Sequence, residues 1–197
     1  MHYIVGLGNP GEKYRDTRHN IGWRVLEQLI AVEQCSTLVE SRSFSGLISE
    51  GMVGDEAIKI LLPTTFMNNS GSAVAKFVPK KEVERLLVVH DDIALPFGEV
   101  KIGKGRGAGG NNGVQSIISA VDTNEFTRIR IGIAPKSIWT GKTVRPKGGG
   151  PLEQFVLKPF TFSEKKQLPA IIERACFVIL SIVNEGVEVA MNKCNGM

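Results

Sequence analysis

Residues 2–11 read "HYIVGLGNPG", an apolar run that stops at three glycines, Gly6, Gly8 and Gly11. The run predicts a short buried strand over 4–7, and the glycines predict a tight loop at its C-terminal end. Units of the same kind recur outward from it. Residues 20–33, "NIGWRVLEQLIAVE", set Ile21, Val25, Leu26, Leu29 and Ile30 on one helical face, with Thr17 or Asn20 placed to cap it. Residues 44–50 and 57–62 read as two strands joined by a turn. "RLLVVHDD" (85–92) predicts a buried strand ending in acids, and "TRIRIGIA" (127–134) alternates as a strand does. A short helix carrying Ala73, Val74, Phe77 and Val78 is expected with Ser70 placed to cap it, and another from about Val114 to Ala120. Ser163 is expected to start a long C-terminal helical region faced by Ile171, Ile172, Ala175, Val178, Ile179 and Ile182, with Pro169 and Gly186 as breaks or kinks. Strands alternating with helices predict α/β architecture: a single domain over 1–197, with a sheet flanked by helices on both faces. The strand pair at 44–62 is too tightly joined for a parallel crossover, so the sheet is expected to be mixed. In such sheets a ligand sits beyond the strands' C-terminal ends, near a switch point.

The composition excludes several classes. With 197 residues, 42% hydrophobic and 22% charged, the chain reads as an ordinary globular protein. Its apolar runs are interrupted before the roughly 20 residues of a membrane span. No basic lead precedes a long apolar segment, so no secretory signal is expected and the cytoplasm is the expected location. The three cysteines, Cys35, Cys176 and Cys194, are scattered, and His2, His19 and His90 lack ligand spacing, so no metal site is expected. The net charge of +4 hides an asymmetry: residues 101–147 hold nine basic and two acidic side chains, or +7. A basic concentration of that size attracts polyanions, nucleic acid among them. Between Pro135 and Pro151 the chain is polar, basic and glycine-rich, and 136–151 is expected to form a mobile loop.

"GLGNPG" also fits G-x-G-x-x-G, the loop that wraps a dinucleotide's phosphates. That loop needs its last glycine at a helix start. Here "EKYRDTRHN" follows, without apolar helical periodicity, and no acid ends a second strand where a ribose would be gripped. The second glycine loop, "GKGRGAGGNNG", lacks the Gly-Lys-Ser/Thr of a P-loop. No nucleotide cofactor is therefore expected. The loops carry other chemistry. His19 lies just before the first helix, whose positive end disfavours an imidazolium, as a general base near neutrality requires. Asp91, at a strand end, is placed to fix an imidazole's tautomer. With no Ser or Cys nucleophile beside them, water is the natural nucleophile. Asn9, Asn68 and Asn112 lie on three loops, and their amides suit a carbonyl or an oxyanion. Taken singly, each has a structural alternative: a turn residue for Asn9 and Asn112, a helix cap for Asn68, a cap or core residue for His19. The combination fits a water-using hydrolase of an anionic or nucleic-acid substrate.

"VGLGNPGEKYRDTRHNIG", "LLPTTFMNNSG", "VVHDDIALPFG", "GAGGNNG" and "RIRIGI" together resemble the bacterial-type peptidyl-tRNA hydrolases, in that family's order and across nearly the whole chain. The resemblance implies hydrolysis of the ester that joins a peptide to tRNA, recycling tRNA from abandoned translation. It implies no metal, no cofactor, tRNA as partner, a monomer and a cytoplasmic location. It assigns His19 as catalytic base, Asp91 as the acid that holds it, and Asn9 as the position separating peptidyl-tRNA from unblocked aminoacyl-tRNA. Tyr14, Phe66, Met67, Asn68 and Asn112 match substrate-contacting positions. Lys104, Arg106 and Arg130 are its candidates for the tRNA backbone. Two positions depart from the pattern: Asn111 stands where the family often has His, and Ala94 where it often has another acid. The runner-up is an RNA-binding module of this fold without hydrolysis.

Overall fold

The computed structural model describes residues 1–135, Thr143 and 149–196. In chain order its strands and helices are β1 (His2–Gly6), α1 (Ile21–Val32), β2 (Gln34–Cys35), β3 (Val39–Ser41), β4 (Gly46–Val53), β5 (Glu56–Pro63), α2 (Ser70–Phe77), β6 (Leu86–Pro96), β7 (Val100–Lys104), α3 (Asn112–Val121), β8 (Thr127–Ala134), α4 (Gly150–Val156), α5 (Phe162–Glu185) and α6 (Val187–Cys194). The strands form one mixed sheet in the order β2-β4-β5-β1-β6-β8-β7, with β3 paired to β4. β5, β1, β6 and β8 run parallel; β4 and β7 pair antiparallel to β5 and β8. This is the mixed α/β sheet that the strand and helix periods imply.

Alternation along the central strands divides the interior into two cores. Ile4 of β1, with Leu87 and Val89 of β6, faces α1, α5 and α6. Tyr3 and Val5, with Leu86 and Val88, face α2 and α3. Successive side chains of a strand point to opposite faces, so one continuous apolar run supplies both layers. α5 is long and apolar enough to cross a membrane by length and composition, but Leu168, Ile171, Ala175, Val178, Ile179 and Ile182 are buried against the sheet.

The opening glycines serve packing. A Cβ on Gly6 would lie 2.7 Å from the Gly22 carbonyl oxygen, and one on Gly8 2.6 Å from the Trp23 ring. A Cβ on Gly22 would run into the Val89 carbonyl oxygen. These three positions let the start of α1 sit directly on β1 and β6. A 3-10 turn, Glu12–Tyr14, follows the glycine loop, and α1 starts only at Ile21. The loop departs from the dinucleotide pattern on that geometry, because Gly11 leads into a 3-10 turn and not directly into an α-helix.

Several local expectations are corrected. Neither Thr17 nor Asn20 caps α1 through its side chain; the Thr17 hydroxyl donates to Tyr14 O and Asn20 bonds to Asn9. Ser70 does not cap α2: Asn69 holds that position, and the Ser70 hydroxyl donates to Met67 O. α5 starts at Phe162, because Thr161 and Glu164 form a reciprocal capping box ahead of Ser163. α5 continues through Pro169 and stops at Gly186, whose φ of 87° lies in the left-handed region. α3 begins at Asn112, two residues before the expected start, because the Asn111 side chain caps it. Of the loop expected at 136–151, residues 136–142 and 144–148 lie outside the described residues, and 150–151 already belong to α4.

Candidate active site

The parallel strands end on one side of the sheet, and the loops leaving them enclose a cavity of about 670 Å³. β1 is the switch point, since the chain passes to β5 on one side and β6 on the other. Asn9 enters from the loop after β1, Phe66, Met67 and Asn68 from the loop after β5, and Asp91 and Asp92 from β6. Asn111 and Asn112 come from the start of α3, and α4 closes another wall with Leu152, Glu153 and Val156. Tyr14 and His19 come from the segment between β1 and α1. Every catalytic and substrate-contacting candidate named from the sequence therefore lines one cavity. Lys104, Arg106 and Arg130 do not line it.

His19 sits in the 3-10 turn Arg18–Asn20, and its Nδ1 lies 2.9 Å from Asp91 Oδ1. The two side chains are 12% and 3% exposed. β6 continues to Pro96, past the acids that were expected to end it, but its neighbour β1 reaches only Val89 in register. Asp91 is thus the second residue beyond that pairing, and it lines the cavity. Burial works against a charged His19, but the Asp91 carboxylate and its hydrogen bond outweigh burial and raise the imidazole above its ordinary 6.5. The expectation that the helix end would hold His19 uncharged is corrected here. A carboxylate in contact acts more strongly than the partial charge of a helix terminus. An Nδ1–H donated to Asp91 leaves Nε2 as the ring's lone-pair nitrogen. The adjacent His90 is buried with Nδ1 at 2.7 Å from Asp91 O, and burial pushes it below 6.5.

The asparagines are held by one another's loops. Asn9 Oδ1 accepts from Met67 N at 2.8 Å, which locks the loop after β5 onto the loop after β1. The Asn20 amide spans Asn9, accepting from its N–H and donating to its carbonyl, each at 2.9 Å. Asn9 is buried, whereas Asn68 and Asn112 are exposed. Phe66 is 60% exposed and meets Tyr14 edge to face at 6.3 Å.

Two residues overlooked as site residues act beneath it. One is Asn20, read above only as a cap. The other is Arg18, which carries the turn of His19. Its guanidinium donates to Lys158 O, Pro159 O and Glu164 Oε2, and stacks against Phe155 and Phe160. The only local signal was an arginine beside the histidine; its partners lie some 140 residues on.

The basic segment is less uniform than its +7 suggests. Arg128 is buried and holds the glycine loop through Gly107 O and Arg106 O. Arg130 Nε donates to Asp92 Oδ2 at 2.7 Å, and Asp92 Oδ1 accepts from Ala94 N. Lys104 and Arg106 are exposed. Lys136, Lys142, Arg145 and Lys147 lie outside the described residues. Among the described residues, no three His, Cys, Asp or Glu side chains gather as a metal site would require.

A model of the family described as peptidyl-tRNA hydrolase matches residues 3–197. A peptidyl-tRNA hydrolase of Thermodesulfovibrio yellowstonii is 41% identical, over 99% of each chain. One of Thermosynechococcus vestitus is 40% identical, over 98% of this chain and 93% of that one. The crystal structure of peptidyl-tRNA hydrolase from Acinetobacter baumannii superposes with a TM-score of 0.87 at 31% identity, over 99% of this chain and 94% of that one.

Proposed function

Given that the chain belongs to the peptidyl-tRNA hydrolase family, we propose that His19 is its general base and that Asp91 steers it. The reaction is hydrolysis of peptidyl-tRNA, so the substrate offers an ester carbonyl, a ribose leaving group and a polyanionic body. His19 Nε2 takes a proton from water, and the hydroxide adds to the ester carbon. Asp91 holds the ring by Nδ1 and stabilises the imidazolium that forms. The carbonyl oxygen becomes an oxyanion, which the amides of Asn68 and Asn112 and the positive end of α3 stabilise. Collapse breaks the bond to the ribose oxygen, and that oxygen receives the proton from His19. The products are the free peptide acid and tRNA with its hydroxyl restored, which recycles the tRNA of abandoned translation.

Asn9 presents its Nδ2 toward the peptide's end, because its Oδ1 is engaged by Met67 N. The Phe66 and Tyr14 pair, with Met67, forms the apolar contact for the substrate. Lys104 and Arg106 take the tRNA backbone, joined by the guanidinium nitrogens of Arg130 that Asp92 leaves available. In this reading the enzyme works as a monomer in the cytoplasm; light scattering of the purified protein that returns a dimer overturns the first half. One observation carries the catalytic assignment: the 2.9 Å contact of His19 with Asp91 inside the asparagine-lined cavity. The test is His19→Ala, assayed on an N-blocked aminoacyl-tRNA. Turnover should fall by about 10² to 10⁴ with fold and tRNA affinity kept, and a rate near wild type overturns the assignment.

A further inference from the structure

Asn111, the residue that caps α3, is wired directly to the acid. Asn111 Nδ2 lies 3.1 Å from Asp91 Oδ1 and 3.2 Å from Asp91 O, so one amide group bridges the side chain and main chain of the same residue. Its Oδ1 accepts from Val114 N at 3.1 Å. That second bond settles which way the amide points, since a backbone N–H needs an acceptor and a carboxylate needs a donor. Asp91 Oδ1 is then shared by two donors, His19 Nδ1 at 2.9 Å and Asn111 Nδ2 at 3.1 Å.

We propose that Asn111 is a positioning residue for the reaction: its amide locks the Asp91 carboxylate in the rotamer that serves His19, while its carbonyl caps α3 and so sets Asn112 at the mouth of the cavity. The proposal rests on the reading of His19 and Asp91 given above. The donor is neutral and does not titrate. It draws on the carboxylate's negative charge without adding a cation beside His19. An imidazole in this place would add a second titrating group against the same oxygen. The amide therefore leaves His19 as the group whose ionisation sets the acid side of the pH profile.

Asn111→Ser and Asn111→Asp separate the two roles, because Ser, Asp and Asn cap helices about equally well. Ser is too short to reach Asp91 while capping, so it keeps the cap and loses the donor. Asp keeps the cap and turns the donor into a second negative charge. In the Ser variant thermal stability should fall by no more than the loss of one hydrogen bond implies, KM should stay near wild type, and kcat should fall on the order of 10-fold. In the Asp variant kcat falls too, and the acid limb of the kcat profile rises by about one pH unit. If kcat falls only in step with thermal stability, or if both variants keep the wild-type kcat and limb, Asn111 is a helix cap alone and the proposal fails. Asp91→Asn, run alongside, keeps the two failures apart. Unchanged turnover there sinks the catalytic reading itself; a large loss there with wild-type Asn111 variants sinks only the role of Asn111.

Discussion

Asp91→Asn replaces the carboxylate against His19 by a neutral group of nearly the same shape. At 2.9 Å the attraction between imidazolium and carboxylate is about 6 kcal/mol at an effective dielectric constant of about 20. Burial of both side chains offsets part of it. In the wild type the attraction wins, and His19 lies above 6.5. With asparagine at 91, burial stands unopposed and the folded-state value drops below 6.5. Two consequences separate this effect from simple damage. The plateau of kcat/KM should fall by about 10² to 10⁴, or about 3–5 kcal/mol of barrier, because the ring loses its tautomer lock and its counter-charge. Its acid limb should move to lower pH, because the imidazole of the variant stays neutral further into acid. Stability carries the opposite signature. In the wild type the raised value makes the imidazolium a stabilising form, fully present below 6.5 and lost as pH rises through the folded-state value. In the variant the value is depressed, so protonation favours the unfolded chain and stability is lost as pH falls. The Tm gap between the two proteins should therefore widen from about pH 8 to about pH 5.5. Initial rates on an N-blocked aminoacyl-tRNA across that range, with melting curves in the same buffers, supply both readouts. A plateau equal to wild type, or an acid limb that stays put, refutes the reasoning.

Arg18→Ala should cost about 3 kcal/mol in denaturant unfolding, because it removes a buried guanidinium with three hydrogen bonds, one of them to the half-buried Glu164, and with it the tie between the His19 turn and α5. A loss no larger than the roughly 1 kcal/mol of a surface pair would contradict that. Asn20→Ala removes two buried hydrogen bonds and leaves the Asn9 N–H and C=O unpaired, for about 2–3 kcal/mol of stability. It should also lower turnover through Asn9; full activity would show that the clasp serves stability alone. Lys104→Ala and Arg106→Ala should each reduce the slope of log binding constant against log salt by about 0.9 while leaving kcat near wild type. Unchanged slopes would place the tRNA backbone elsewhere.

The architecture was legible in the chain because its signals are local. A pleated strand turns its side chains every second residue, so a continuous apolar run such as that at Ile4–Leu7 reads as a strand buried on both faces. A helix repeats every 3.6 residues, so Val25, Leu26 and Leu29 announce the buried face of α1. Polar residues gathered at strand ends marked the loops of the cavity, and the family motifs put roles on them. The turn chemistry was less legible: Thr17, Asn20, Ser70 and Ser163 all fit a cap by type, and which donor reaches which acceptor depends on a turn's closure. What only the tertiary structure decided are the pairings across long separations. His19 and Asp91 stand 72 residues apart, Arg18 and Glu164 146 apart, and Arg130 reaches Asp92 on the neighbouring strand, 38 residues away. The ionisation of His19 belongs with these. A sequence shows that a histidine precedes a helix; it does not show whether burial, a helix end or a carboxylate at 2.9 Å dominates. Electrostatic and hydrogen-bond energies fall away within a few ångströms in space, whatever the distance along the chain. Periodicity is therefore written in the spacing of residues, while the chemistry of the site arises only when folding brings those residues into contact.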